Sequence, residues 1–87
     1  MTKNEFYYSL IKDKLYKVLN YYTNIMLECN DFSEAYLKIS WYLVESSEIV
    51  CKSDLDRDSK KHLLKFITSE IVVLFQYYKS LQEWKAR

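Results

Sequence analysis

The sequence contains neither glycine nor proline, so it lacks the residues that most often break helices and build tight turns. Without glycine, the dinucleotide-binding fingerprint and the Walker-type phosphate loop are both excluded. An all-β fold with many tight turns is also disfavoured. One histidine and two cysteines, with no Cys-x-x-Cys pair, cannot assemble a zinc site of the usual kind within one chain. We therefore expect no metal and no other cofactor.

Long apolar runs and a strong charge of one sign are missing as well. The longest apolar run covers residues 71–75, far short of the roughly 18 to 20 residues of a membrane span. The first residues lack the apolar segment and small-residue cleavage site of a signal peptide, so we expect a cytoplasmic protein. The net charge of +1 argues against a broad electrostatic groove for nucleic acid. The bias toward Tyr, Ile, Lys and Asn is typical of an AT-rich genome, such as that of a low-GC bacterium or a phage.

The chain does contain helix caps and a helical period. Thr2 with Glu5, and Asp31 with Glu34, match capping boxes, and Ser53 or Asp54 is positioned to cap a third helix. After each cap, apolar residues recur at alternating spacings of three and four, which is a heptad pattern. These signals predict helices over residues 3–29, 32–52 and 54–85. The recurring positions are Tyr8, Ile11, Leu15, Val18, Tyr22, Ile25 and Cys29, then Phe32, Tyr36, Ile39, Leu43 and Val50, then Leu64, Ile67, Ile71, Leu74, Tyr78 and Leu81.

The length of the chain allows a single helical domain over residues 1–87. Short connections favour antiparallel neighbours, so we expect an all-α, up-down-up three-helix bundle with long first and third helices. Cys29 and Cys51 close the first and second helices and would lie at opposite ends, about 30 Å apart. That separation exceeds the reach of a disulfide, so both thiols should be reduced.

Unequal helix lengths suggest an interface. The second helix would span roughly 30 Å and the third nearer 45 Å, so the first and third should overhang it. Both overhangs are rich in aromatic residues, and exposed apolar surface of this kind usually marks an interface. We therefore expect a homodimer, the alternative being a bent helix or a fourth short turn that makes these rings ordinary core. The predicted interface residues are Phe6, Tyr7, Tyr8, Leu10, Phe75, Tyr77, Tyr78, Leu81 and Trp84.

His62 is the only side chain whose ordinary pKa lies near neutrality. It falls opposite the apolar positions of the third helix, so we expect it to be exposed. The segment His62-Leu63-Leu64-Lys65 resembles the His-x-Leu-Lys core of histidine phosphotransfer domains, which are helical bundles. The resemblance implies a phosphoryl group carried on His62 with lysines nearby to offset its charge. That family has glycine where this chain has Phe66.

A second pattern also passes through His62. Residues 57–62 resemble the Arg-polar-x-x-x-His motif of HEPN ribonucleases, which are helical proteins that pair two motifs across a dimer. The resemblance implies an acid/base role for His62 and stabilisation of a phosphate transition state by Arg57. The simpler interpretation, which we prefer, is a solvated helix residue with no chemistry.

Three lysines near His62 form a small basic group, namely Lys60, Lys61 and Lys65. They could contact phosphate or nucleic acid, although a solvated helix face is the simpler interpretation. We therefore expect a small non-enzymatic interaction module that docks aromatic helix faces on a protein partner. A regulator, an inhibitor or an immunity-type protein of a bacterium, a phage or a mobile element would fit this description. The alternatives are phosphotransfer or ribonuclease chemistry at His62, and a helical dimer that binds nucleic acid.

Overall fold

A computed structural model describes residues 2–86, and in that range the chain forms three α-helices and no strand. Helix α1 covers Lys3–Leu27, α2 covers Phe32–Lys52 and α3 covers Arg57–Lys85. The all-helical prediction is thus confirmed. The first helix ends at Leu27 instead of residue 29, and the third begins at Arg57 instead of residue 54.

Each helix begins at a side chain that accepts a hydrogen bond from the first turn. The Oγ1 of Thr2 accepts from the backbone N–H of Glu5 at 3.1 Å, and Oδ1 of Asp31 accepts from that of Glu34 at 2.8 Å. The carboxylate of Glu34 in turn accepts from the backbone N–H of Asn30 at 3.3 Å. These bonds satisfy N–H groups that have no partner inside a helix, and so they fix where α1 and α2 start.

The connection between α2 and α3 explains the late start of α3. The hydroxyl of Ser53 donates to the Val50 carbonyl at 2.6 Å, so Ser53 closes α2 and does not open α3. Asp56 is the cap, accepting from the backbone N–H of Ser59 at 2.7 Å. Between them, Leu55 is buried against the core. The expectation that Ser53 or Asp54 caps the third helix is therefore wrong.

The three helices pack around one continuous core. In α2 the buried side is turned relative to the predicted heptad, because Ala35 and Tyr42 are buried whereas Phe32, Tyr36 and Leu43 are exposed. In α3, Leu63 is fully buried and Leu64 only partly. The buried apolar residues are Leu15, Leu19, Met26, Cys29, Ala35, Ile39, Tyr42, Val50, Leu55, Leu63, Ile67, Leu74 and Tyr78.

Contacts between the helix ends show which parts overhang. The phenolic hydroxyl of Tyr78 donates to the Cys29 carbonyl at 3.1 Å, so only the turns of α3 after Tyr78 extend past the end of α1. At the other end, Nδ2 of Asn4 donates to Oγ of Ser59 at 3.3 Å. The first turn of α1 therefore lies beside the first turn of α3.

Candidate functional site

The outer face of α2 exposes a row of large apolar side chains. Leu37, Trp41 and Val44 are 54%, 56% and 58% exposed, and they recur at helical spacing on the side opposite the buried residues of α2. Ser40 lies between them. We refer to Leu37, Ser40, Trp41 and Val44 as the α2 stripe.

The α2 stripe surrounds a shallow depression of about 150 Å³. Ser40 is its smallest lining residue, and the Ser40 hydroxyl donates to the Tyr36 carbonyl at 2.9 Å. Because that hydroxyl already has its acceptor, an apolar group could cover Ser40 without leaving a donor unpaired. Towards the end of the helix, Glu48 forms an ion pair with Lys52 and marks the charged border of the stripe. The depression therefore suits an apolar or aromatic side chain.

Sequence reasoning missed this surface, although one signal for it was present. Residues 41–44 are four consecutive apolar residues, and at 3.6 residues per turn they occupy every side of the helix. A helix that packs on two neighbours cannot bury all four of them. The heptad analysis assigned Leu43 to the core, whereas the structure buries Tyr42 and leaves the other three exposed.

Aromatic rings also form a ledge where α2 meets α3. The ring of Phe75 stacks on Phe32 with 5.8 Å between centroids and lies 5.6 Å from the ring of Tyr36. Phe32 and Tyr36 are more than half exposed, and Phe75 is half-buried. We call these three residues the ring ledge. Phe75 belongs to the predicted interface, but the two α2 rings were predicted as core.

The predicted interface residues of α1 are mostly exposed. Phe6, Tyr7 and Leu10 are exposed, with 6.0 Å between the Phe6 and Tyr7 ring centroids. Tyr8 is half-buried against the core, and Nζ of Lys12 lies 5.9 Å from its ring centroid. These side chains belong to one helix end, which lies beside the start of α3.

The predicted interface residues of α3 differ from one another. Trp84 is 73% exposed, Tyr77 is exposed and Leu81 is half-buried. Tyr78 is fully buried and hydrogen-bonded to the end of α1. Tyr78 therefore belongs to the core of this chain and is removed from the candidate surface.

His62 is exposed on the second turn of α3, as expected. Arg57 is also exposed, but residues five positions apart on a helix point about 140° away from each other, so α3 does not bring these two side chains together. Nearby, hydrogen bonds from Ser59 hold the pKa of the Asp56 carboxyl below its usual value, consistent with its capping role.

The three lysines near His62 are not equivalent. Lys60 is half-buried, and its Nζ donates to the Cys51 carbonyl at 3.1 Å, so it ties the start of α3 to the end of α2. Lys61 and Lys65 are exposed one turn apart. Lys60 and Lys61 line an open depression of about 470 Å³, together with Leu55, Arg57 and Leu64.

Over residues 2–86, no group of three or more His, Cys, Asp or Glu side chains is placed to hold a metal ion. In the same part of the chain, no helix combines the length and the apolar character that crossing a lipid bilayer requires.

Two buried polar groups lie in the middle of the core. Neither the hydroxyl of Tyr42 nor that of Ser46, one turn later on α2, has a hydrogen-bond partner among the described residues. Burial raises the pKa of Tyr42 to about 12, an effect that the nearby Ser46 partly offsets. By contrast, Tyr22 donates to the Glu45 carboxylate at 2.6 Å, and mainly that hydrogen bond raises its pKa to about 12.

The two thiols are free and differ in access, which gives a direct test of the fold. Cys29 is buried, and its Sγ donates to the Ile25 carbonyl at 3.4 Å, whereas Cys51 is exposed. Burial, and then the Glu34 carboxylate, raise the pKa of the Cys29 thiol. When the native protein is treated with an aromatic disulfide reagent, we expect the Cys51 thiol to react promptly. The Cys29 thiol should react at least about a hundredfold more slowly, because the reagent reaches it only when the protein unfolds.

Single variants assign the two phases of that assay. Cys51→Ser should remove the fast phase, and Cys29→Ser should leave it intact. Equal rates for both thiols in the native protein would contradict the burial of Cys29.

Comparison with known proteins gives no relative: no family model, no curated protein and no solved structure matches the chain.

Proposed function

We propose that this protein is a small non-enzymatic interaction module that docks a protein partner through apolar, aromatic-rich helix faces, as a regulator, inhibitor or immunity-type protein does. One observation carries the proposal. Leu37, Trp41 and Val44 lie on the outer face of α2, and each of them is more than half exposed. We further propose that the protein acts in the cytoplasm.

The fold itself does not need these outer side chains. The inner face of α2 already supplies Ala35, Ile39, Tyr42 and Val50 to the core, and a helix in a small bundle requires only one apolar stripe. Each exposed apolar side chain leaves unused about 25 cal/mol per Å² that burial would contribute. Contiguous exposed apolar surface on a small chain is typical of a protein-binding face, and tryptophan is frequent at the centre of such faces.

The contacts between elements support an up-down-up order of the helices, with antiparallel neighbours. The starts of α1 and α3 meet at Asn4 and Ser59, and the end of α1 meets the later part of α3 at Tyr78. Between these points, Tyr22 of α1 contacts both Tyr42 and Glu45 of α2. In this arrangement α2 has one face free of neighbours, and that face carries the α2 stripe.

Affinity capture with matched variants tests the proposed function. The full chain is immobilised and incubated with a lysate of the cells that encode it. We expect a protein that the wild type and His62→Ala retain equally. At least one of Trp41→Glu, Tyr36→Glu and Trp84→Glu should reduce its retention about tenfold or more, because a charge at the centre of an apolar interface is costly to desolvate.

The control variants decide between a protein partner and phosphate chemistry. His62→Ala and Lys61→Ala change exposed residues outside the aromatic faces. A partner whose binding survives all three glutamate variants but is lost with either control would contradict the proposal. Retention that is abolished by nuclease treatment would contradict it as well.

A further inference from the structure

We propose that the α2 stripe pairs with the α2 stripe of a second copy of this chain, with the two α2 helices antiparallel about a two-fold axis between residues 40 and 41. This inference rests on the proposed function, since it names the occupant of one of its docking faces.

The shapes of the two halves of the stripe are complementary. About this axis, Leu37 faces Val44 of the second copy, and Ser40 faces Trp41 of the second copy. The indole of each chain thus enters the depression over the small Ser40 of the other chain, where the serine hydroxyl is already bonded to Tyr36. A large side chain beside a small one is what two identical surfaces need in order to interlock after a two-fold rotation.

The charges at the edge of the stripe favour the same pairing. Lys38 lies beside the first half of the stripe and Glu45 beside the second, and neither forms an ion pair within residues 2–86. One oxygen of Glu45, Oε2, accepts the Tyr22 hydroxyl, which leaves Oε1 free. With antiparallel helices, Lys38 and Glu45 of the second copy come within about 3 Å of each other along the axis.

The charge pattern also argues against a parallel pairing of two α2 helices. In a parallel arrangement the two-fold axis runs along the helices, so the side of the stripe that carries Lys38 and Glu45 lies on opposite sides of the interface in the two copies, and no Lys38–Glu45 pair forms. The two-fold antiparallel arrangement forms the Lys38–Glu45 pair twice.

The size of the stripe sets the expected strength of the dimer. One helix face buries less than the roughly 800 Å² per partner of a standard stable interface. The dimer should therefore be weak and depend on concentration. Sedimentation velocity of the full chain from about 1 µM to 1 mM covers the range in which such an equilibrium is visible. We expect a shift from monomer to dimer across this range.

Variants at the centre and at the edge of the stripe test the pairing. Trp41→Glu should raise the dissociation constant more than tenfold, because it places two carboxylates near the axis. Lys38→Glu alone and Glu45→Lys alone should each weaken the dimer, and the double variant should restore it, since the pair is then re-formed with the charges exchanged. Circular dichroism verifies that each variant keeps its helical content.

Trp84→Glu is the matched control, because it introduces the same charge at a more exposed tryptophan on α3. It should leave the dissociation constant unchanged. Three results would overturn the inference: a wild type that is monomeric throughout, a dimer disrupted by Trp84→Glu but not by Trp41→Glu, and a double charge exchange that fails to restore pairing. A monomeric protein that still captures a partner through Trp41 would overturn this inference but leave the proposed function standing.

Discussion

A Tyr78→Ala variant is expected to lose about 3 to 5 kcal/mol of its free energy of unfolding, which is the range for removing a large aromatic ring from a core. Tyr78 is fully buried, and its hydroxyl donates to the Cys29 carbonyl at 3.1 Å. The substitution removes the ring and leaves that carbonyl without this donor. It also removes a neighbour of Phe32, whose ring centroid lies 6.0 Å away. A chain of this length has a total stability of only about 4 to 13 kcal/mol, so the loss is a large fraction of it.

The adjacent Tyr77 provides the control for this measurement. Tyr77 is about half exposed, so Tyr77→Ala should change the free energy of unfolding by no more than about 0.5 to 1 kcal/mol. Urea titrations followed by far-ultraviolet circular dichroism compare the two variants. Tyr78→Phe keeps the ring and removes the hydroxyl. Its free energy of unfolding should be about 1 to 3 kcal/mol lower than that of the wild type, which is the cost of leaving a buried acceptor unsatisfied. Equal losses at positions 77 and 78 would show that Tyr78 is not the residue that joins α3 to the end of α1.

Local sequence signals predicted the helices because each cap acts within a few residues. Thr2 and Asp31 hold the backbone N–H of the third residue after them, and such a bond depends on almost nothing distant in the chain. The cap of α3 is Asp56 and not the predicted Ser53 or Asp54, although Ser and Asp are both competent caps. The choice depends on two features outside the cap itself. Leu55 is buried against the core, and the hydrogen bond from Ser53 to the Val50 carbonyl closes α2.

The orientation of α2 could not be obtained from its period. Apolar residues occupy every side of this helix between residues 41 and 44, so more than one heptad frame fits the sequence. The structure buries Tyr42 together with the small Ala35, and it exposes Tyr36 and Leu43. Which frame is used depends on the shapes of the facing residues of α1 and α3, and these are not encoded in the hydrophobicity of α2 alone.

The candidate surface depends on that orientation, which is why it was only partly predicted. Unequal helix length predicts an interface that includes Phe6, Tyr7, Tyr77 and Trp84, and all four are exposed. The predicted interface also included Tyr78, although the heptad of α3 had already assigned Tyr78 to the core. Length alone does not show which neighbour a terminal turn will meet, whereas membership of the apolar stripe does. Neither helix length nor heptad spacing predicts the α2 stripe, because the pattern of a single sequence cannot distinguish an inner apolar face from an outer one.

The free energy of unfolding is expected to fall between pH 10 and pH 12, and the titration of Tyr42 contributes to this loss. The pKa of Tyr42 is 10 in the unfolded chain and about 12 in the folded one, raised first by burial. In this interval the unfolded chain releases the phenolic proton while the folded chain retains it, so rising pH favours unfolding. The stabilisation is complete below pH 10 and is lost as the pH approaches 12. For Tyr42 the loss is of the order of 2 kcal/mol.

Two further tyrosines change in the same direction. The hydrogen bond to Glu45 is the main reason why the pKa of Tyr22 rises to about 12, and burial raises the pKa of Tyr78. Because more than one tyrosine contributes, the slope for the wild type alone does not identify the group. Comparison with Tyr42→Phe removes this ambiguity because Tyr22 and Tyr78 are the same in both proteins.

Tyr42→Phe should therefore have two effects that a purely structural role of the ring would not produce. At neutral pH its free energy of unfolding should equal or exceed that of the wild type by up to about 1 kcal/mol, because the Tyr42 hydroxyl has no partner among the described residues. Above pH 10 it should lose less stability than the wild type. Urea titrations at pH 7, 10 and 12 measure both effects. Lower stability of the variant at neutral pH would show that the Tyr42 hydroxyl is hydrogen-bonded in the folded protein. An alkaline slope equal to that of the wild type would show that folding does not raise the pKa of Tyr42.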